Sequence, residues 1–572
     1  MAVEKLITQH IDTWTSALQT RSTAGRGSNG KIDLYGIKKL RELILELAVR
    51  GKLVPQDPND EPASELLKRI AQQRDELVKT NKIKKPKKLA PLDAIDTQFE
   101  LPSGWEWCYL NDIGDWGAGA TPNRSNSNYY GGEIPWFKSG ELSVDFIFDS
   151  EEYITDLAMD ECSLRDNKPG DVLIAMYGAT IGKTSILNVR GTTNQAVCAC
   201  TPFIGISNIY LLTLLKAYKR IFTSMGTGGA QPNISREKII ATIFALPSEN
   251  EQERIVNKVN ELMSLCDQLE QQSLTSLDAH QQLVETLLAT LTDSQNAKEL
   301  AGNWARISQH FDTLFTTEAS IDALKQTILQ LAVMGKLVQQ DPDDEPVSEL
   351  LKRIEQEKEK LVKEGKIKKQ KPLPPISEDE KPFELPKGWE WCRIGSVINI
   401  RAELVKPEKY YDFFQVAPDI IEKGTGKVIS QRTVKESGIK GPNSRFYKNQ
   451  IVYSKIRPSL SKAFIAEYDG LCSADMYPLD CFINTGYLLK VILSEVFLIQ
   501  VRAAENRIKM PKLNVESLSN ILIPVPPAGI QSAVFSKISQ MDIFCDTLKS
   551  RLQSAQQTQL NLADALTDAA LN

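Results

Sequence analysis

GKLVPQDPNDEPASELLKRI at Gly51–Ile70 returns as GKLVQQDPDDEPVSELLKRI at Gly335–Ile354, with 17 of 20 positions identical at a constant offset of 284. The same offset carries FELPSGWEWC (Phe99–Cys108) onto FELPKGWEWC (Phe383–Cys392), where Ser103 against Lys387 is the only change. The segments that follow, Tyr109–Ala245 and Arg393–Pro524, share no comparable identity. Two near-identical frames therefore carry two different inserts. Self-similarity of this kind decides the architecture before any local reading. Like frames fold alike, and unlike inserts are free to bind unlike things.

Within the frames, Ile37–Val49 places Leu40, Leu43, Ile44, Leu47 and Ala48 at helical spacing, and Gly51 stops it. Its copy is Ile321–Val333, ending at Gly335. A Pro/Asp-rich turn at Pro55–Pro62 precedes a second predicted helix, which Ser64 is expected to cap and which runs to about Lys79. A basic, proline-bearing stretch follows, Lys79–Pro91, mirrored by Lys363–Pro375. It reads as a solvated linker or, more sharply, as a strap against a nucleic-acid backbone.

After the inserts, Glu249–Thr292 is almost free of helix breakers. Its apolar residues (Ile255, Val259, Leu262, Cys266, Leu269, then Leu277, Val284, Leu287 and Leu291) form a coiled-coil seam weakened at Ser273 and His280. The pattern recurs after Pro526–Pro527 as Val534, Ile538, Met541, Cys545, Leu548 and Leu552, now at an offset of 279. About 44 helical residues at ~1.5 Å each span on the order of 65 Å, roughly two turns of B-form DNA. The inserts themselves show short β-rich runs broken by Gly and Asn: Gly170–Pro202 in one, Asn449–Pro478 in the other. The expected fold is α+β. Two α/β domains are separated and flanked by long antiparallel coiled-coil helices, with a pseudo-two-fold internal repeat. The boundaries are 1–98, 99–246, 247–382, 383–525 and 526–572.

A chain of 572 residues exceeds what one core usually supports, and 42% hydrophobic with 25% charged residues is an ordinary globular composition. The formal charge of −5 is unevenly spread: Arg393–Pro524 carries 19 Lys/Arg against 13 Asp/Glu, and Tyr109–Ala245 carries 11 against 14. If the second balance serves DNA binding, local basic patches or a basic partner must supply the charge. Nine scattered cysteines with no CxxC pair, and only His10, His280 and His310, give no zinc site. Cys198 and Cys200 are spaced as on a strand. With no secretory signal and no apolar run of about 18–20 residues, the expectation is a cytoplasmic protein with no membrane association.

GATIGKT at Gly178–Thr184 is the tempting catalytic motif. It has three residues where a phosphate-binding loop needs four, Tyr177 where the first glycine should stand, and no helix behind it. A tight strand-to-strand turn displaying Thr180 and Lys183 is the better reading. Three histidines outside sheet-like segments make no catalytic triad. The densest acidic cluster, Asp57–Glu61, belongs to the frame, where acidic turns suit helix starts. The inserts do hold residue types that read base edges and phosphates. In the first these are Lys138, Ser139, Gly140, Tyr177, Gly178, Thr180, Lys183, Asn194, Gln195, Thr227, Gln231 and Asn233. In the second they are Lys455, Arg457, Ser459, Lys462, Arg507, Lys509 and Lys512.

The duplicated FELPxGWEWC openings, the GDVLIAMYGATIGK and NQIVYSKIRPSLSK runs, the QPNIS loop, the ALP and PVP endings and the long helices after them resemble the specificity subunit of type I restriction-modification systems. The resemblance spans all but the first ~30 residues and Ala297–Thr316. It implies two target-recognition domains, each reading half of a split, asymmetric double-stranded DNA sequence. It also implies helices that set the unread spacer and dock two methyltransferase subunits, to which two motor-nuclease subunits add. The chain would then be non-catalytic and bind no cofactor, with S-adenosylmethionine, ATP and magnesium belonging to the partners. The competing readings are a coiled-coil scaffold that binds proteins without sequence-specific DNA readout, and a nucleotide hydrolase using Gly182–Thr184.

Overall fold

The computed structural model describes residues 3–21, 31–92, 99–227, 232–340, 343–401, 403–504 and 511–571. Two compact units emerge: Met1–Thr275 together with Ala555–Asn572, and Ser276–Ser554.

In the first unit the frame helix is Tyr35–Val49, and it buries Leu40, Leu43, Ile44 and Leu47 to 3% exposure or less. Each such side chain contributes roughly 1.5–3 kcal/mol relative to exposure. Gly51 ends it at φ +66°. A Cβ there would sit 2.5 Å from Pro102 Cγ and 3.0 Å from the Trp105 ring. In the second unit Glu318–Val333 ends at Gly335, φ +73°, with Pro386 Cγ at 2.5 Å and Trp389 at 3.2 Å. The repeated glycine and the repeated LPxGW motif are thus one packing unit, which is why both copies keep both.

The next helices run Ala63–Lys79 and Val347–Lys363. Ser64 does not cap the first: Pro62 holds that position, and Ser64 lies inside the opening turn. The first helical amide, on Ala63, instead donates to Gly104 O at 2.8 Å, and Val347 donates to Gly388 O at 3.4 Å. A backbone carbonyl from the GWEW loop replaces the side-chain cap.

The repeat also reaches further upstream than the 284 offset reveals. Ile7, Gln9, His10, Asp12 and Thr13 recur as Ile307, Gln309, His310, Asp312 and Thr313, at an offset of 300. His10 (φ −121°, ψ 25°) breaks Val3–Gln9 from Ile11–Ser16, and His310 (φ −114°, ψ 22°) breaks Ala297–Gln309 from Phe311–Leu314 in the same way. The hairpin Gln19–Arg21 with Lys31–Asp33 lies where the first frame is longer.

Each insert is closed by an antiparallel ribbon, Glu106–Tyr109 with Ile243–Leu246 and Glu390–Arg393 with Leu522–Val525. Inside, one sheet has the order Gly114–Ala118, Val197–Pro202, Val172–Ala175, Thr184–Leu187, Phe146–Ile147. The second unit repeats the first four places with Ile398–Ile400, Met476–Cys481, Ile451–Ser454 and Ala463–Ile465. From Val172 and Ile451 onward the offset is 279: strands start at Val172, Thr184, Val197 and Ile243 in one domain and at Ile451, Ala463, Met476 and Leu522 in the other. The parallel pair Trp136–Thr192 and Phe137–Thr193 likewise maps onto Gln415–Leu471 and Val416–Cys472. The central strands are buried on both faces, and Val172–Ala175 accordingly reads as an unbroken apolar run, while Thr184, Ser185 and Ser454 are buried polar residues in its neighbours. Cys198 and Cys200 lie fully buried on such a strand, and burial pushes the Cys198 thiol up to about 12.

The long helices are Glu249–Asp293 and Ala528–Leu571, 45 and 44 residues. Each begins in one unit and ends in the other. Seam residues Ile255 to Leu269 are buried, burial lapses through Ser273 and His280, and it resumes at Val284. In the second unit Val284, Leu288 and Leu291 pack with Leu314, Ile321, Leu324 and Cys545.

Candidate nucleic-acid interface

GATIGK forms a strand–turn–strand, with a single 3-10 turn at Gly178–Thr180 between Val172–Ala175 and Thr184–Leu187. Gly178 (φ +60°) and Gly182 (φ +77°) take the two left-handed positions. Thr180 Oγ1 donates to Tyr177 O at 2.6 Å, Lys183 is half-buried, and Tyr177 is 42% exposed. The turn runs on into the strand Thr184–Leu187 rather than into a helix, so it lacks the loop-to-helix geometry of a nucleotide phosphate cradle.

Three other predicted loops meet it at one end of the sheet. Gly178 N–H donates to Pro232 O at 2.7 Å, Ile234 N–H donates to Met176 O at 2.9 Å, and Thr227 and Asn233 exchange backbone bonds. Met176 N–H donates to Ala196 O at 2.8 Å, which brings in Asn194 and Gln195. Asn194 N–H donates to Phe137 O at 3.0 Å, next to Lys138. Lys138, Ser139, Gly140 and Asn194 line an open recess of about 910 Å³ that Glu141 and Glu151 also border. Lys138 Nζ lies 2.7 Å from Glu152, which also accepts from Arg124 Nη1 at 2.7 Å. Those two cations hold the Glu152 carboxyl below the usual range. The Arg124 guanidinium sits over Tyr130 and Trp136, 4.7 and 4.8 Å from the ring centroids. Arg124 and Glu152 escaped the sequence reading. The only hint is an arginine inside the polar TPNRSNSN loop.

The second domain builds the same junction from different side chains. Arg457 (φ +45°) and Ser461 (φ +50°) stand where the first domain has Gly178 and Gly182. Arg457 is exposed and makes no ion pair among the described residues; its N–H donates to Pro511 O at 2.9 Å. The bridge Ile456–Lys512 lies 279 positions after the bridge Tyr177–Asn233. Lys455 Nζ donates to Ala474 O at 2.7 Å and lies over the Tyr477 ring, and Lys462 Nζ donates to Pro418 O. Ala474 and Pro418 are the counterparts of Gln195 and Ser139, so the same four loops converge. Ser459 is half-buried, and Lys512 pairs with Asp475 at 3.2 Å. Gln231, Arg507 and Lys509 lie outside the described residues.

The acidic frame cluster serves the fold. Asp60 accepts from Arg254 Nη2 at 2.5 Å, Ser248 Oγ at 3.0 Å and Asn250 Nδ2 at 3.1 Å, tying the turn to the start of the long helix. Arg254 above all holds the Asp60 carboxyl below its ordinary range. Among the described residues no group of three or more His, Cys, Asp or Glu could hold a metal ion, and no helix is long and apolar enough to cross a membrane.

Residues 102–279 and 386–557 match the family described as "Type I restriction modification DNA specificity domain". The chain is 49% identical to the type I restriction enzyme EcoEI specificity subunit of Escherichia coli, and 47% identical to the EcoAI specificity subunit of the same organism. Both alignments cover 100% of this chain and of the relative, so the likeness includes the first ~30 residues and Ala297–Thr316 as well. Among solved structures, the HsdS subunit from Thermoanaerobacter tengcongensis overlaps 83% of this chain and 98% of its own, at 15% identity and a TM-score of 0.39.

Proposed function

The chain belongs to the family of type I restriction-modification specificity subunits, and from that premise we propose how its halves divide the work. Each specificity domain reads one half of a bipartite, asymmetric duplex sequence through the four-loop junction. The long helices set the number of unread base pairs and dock the methyltransferase subunits. In this reading the chain performs no chemistry. Two methyltransferase and two motor-nuclease subunits supply it, together with their S-adenosylmethionine, ATP and magnesium.

The observation that carries the proposal is the paired junction. Two domains share one strand order and one backbone path through their turns, yet display Gly178, Thr180 and Asn233 in one and Arg457, Ser459 and Lys512 in the other. Recognition of two different half-sequences needs this combination of equal placement and unequal side chains. The test is to express the chain with its methyltransferase subunit in a methylation-free host and sequence the modified bases. Adenine methylation at a single split sequence is the expected result. Scattered modification, or none, refutes it.

A further inference from the structure

The lysine stretches between frame and domain are pinned to the protein through backbone carbonyls and the Gln370 side chain, with most of their lysines exposed. In the first unit Tyr109 Oη donates to Ala90 O at 3.1 Å and Asn111 Nδ2 to Lys87 O at 3.5 Å. These contacts lay the stretch along the turn Leu110–Asp112, which packs on the helix Arg236–Ile240. That helix starts three residues after Asn233. In the second unit Arg393 donates to Pro374 O at 2.9 Å and to Pro375 O at 3.0 Å, and Lys358 Nζ donates to Gln370 Oε1 at 2.8 Å. A recess of about 920 Å³ opens there between Lys368, Lys369, Lys371 and Asn514, which is two residues past Lys512. Both stretches therefore adjoin the loop junctions described above.

Their charge is only partly opposed: Lys366 pairs with Glu364 at 2.8 Å, and Lys371 lies 4.0 Å from Glu516, which also borders the recess. Lys79–Pro91 holds six lysines and no acid, and Lys363–Pro375 holds five lysines and Glu364. Lys84, Lys85, Lys88, Lys363, Lys368 and Lys369 are exposed and make no ion pair among the described residues. The first stretch also supplies the positive charge that its domain, with 11 basic against 14 acidic residues, lacks. A protein interface is built around aromatic and apolar anchors with charge depleted at its core. Neither stretch holds an aromatic residue.

We propose that the two lysine stretches are phosphate-contacting straps, a sequence-independent grip on the duplex beside each reading junction. The proposal rests on the DNA-reading function above and gives the frame its own share of affinity. The full chain is titrated with a random-sequence duplex of about four helical turns, and log affinity is followed against log salt between about 50 and 200 mM. K84Q/K85Q/K88Q and K363Q/K368Q/K369Q are each expected to flatten the slope by about 2.7, since each lost phosphate contact removes ~0.9. Across that range each variant then loses about 40-fold less affinity than the parent chain. The corresponding arginine triples restore the parent slope, and unchanged circular-dichroism melting shows that the fold is intact. Unchanged slopes in both glutamine triples overturn the proposal. If those slopes hold while assembly with methyltransferase subunits is lost, the straps dock protein and the proposal falls. A parent chain with no salt-dependent duplex binding fails earlier, at the DNA-reading function itself.

Discussion

The turns Gly178–Lys183 and Arg457–Lys462 trace the same backbone with opposite choices at the two left-handed positions. The first domain fills both with glycine, and nothing lies within 4 Å of where a Gly178 Cβ would be. The second fills them with Arg457 and Ser461, each costing about 1–2 kcal/mol in a conformation that L-residues avoid. That cost persists beside a junction otherwise built from lysines. Sparsely populated backbone of this kind gathers at binding sites, where the side chain's placement matters more than local comfort. The frames differ more gently. Arg74 meets Asp112 at 3.5 Å, whereas Lys358, in the same repeat position, meets the carbonyls of Gly395 (2.7 Å) and Ile398 (3.0 Å). The frame holds its geometry with interchangeable chemistry; the junction holds its backbone and varies what it shows.

Replacing residues 109–245 with another domain of the family probes that division most severely. Methylated-base sequencing is expected to show one half-site wholly changed and the other intact. A change in both would break the claim of independent readers. Gly51→Ala and Gly335→Ala come next. Each forces a Cβ to 2.5 Å from a proline and strains a positive φ, so each destabilises by roughly 2–5 kcal/mol. Calorimetry on the two variants would show near-equal losses if the frames are equivalent. Arg457→Gly is expected to raise stability by about 1 kcal/mol while flattening the salt dependence of duplex binding by about 0.9. Thermal melting and anisotropy titration read the two effects separately; affinity rising along with stability would remove Arg457 from the interface.

The smallest effect concerns Lys358, whose burial lowers its ammonium to about 8 from 10.5. Between those values the unfolded chain binds more protons than the folded one, so stability rises with pH. Lys358→Met is expected to flatten this slope, by roughly a few degrees of melting temperature across the window. Hydrogen exchange followed by mass spectrometry should confine the change to the second unit.

The sequence announces its frames loudly because their 3.6-residue periodicity and near-identity survive in plain letters. The long helices accordingly fall within a residue of their expected ends, Glu249–Asp293 against Glu249–Thr292. The inserts hide their kinship, since a shared strand order constrains only burial: Val172–Ala175 and Ile451–Ser454 need to be buried, not alike. The meeting of Lys138 with Asn194, or of Tyr177 with Asn233, depends on strands that pair across long stretches of chain. The duplicated His10 and His310 breaks were written in the sequence too. The change of offset from 300 to 284 separates them from the louder repeat. Ser64 misled because a side-chain cap is a local signal, and the carbonyl of Gly104, distant in sequence, took its place.

The ribbons Glu106–Tyr109 with Ile243–Leu246, and Glu390–Arg393 with Leu522–Val525, place the entrance and exit of each domain side by side. Everything between them enters and leaves the frame through two adjacent strands, like a pendant on a clasp, and the helix Asn208–Ala217 steadies the first domain by packing on Tyr35–Val49. A pendant can lose or gain links without moving the clasp: the second domain runs five residues shorter before Phe414–Val416, and its ribbon keeps the same register. Length changes that would derail a helix are absorbed inside the domain. The same ribbon register therefore closes over two inserts of unlike length and unlike sequence.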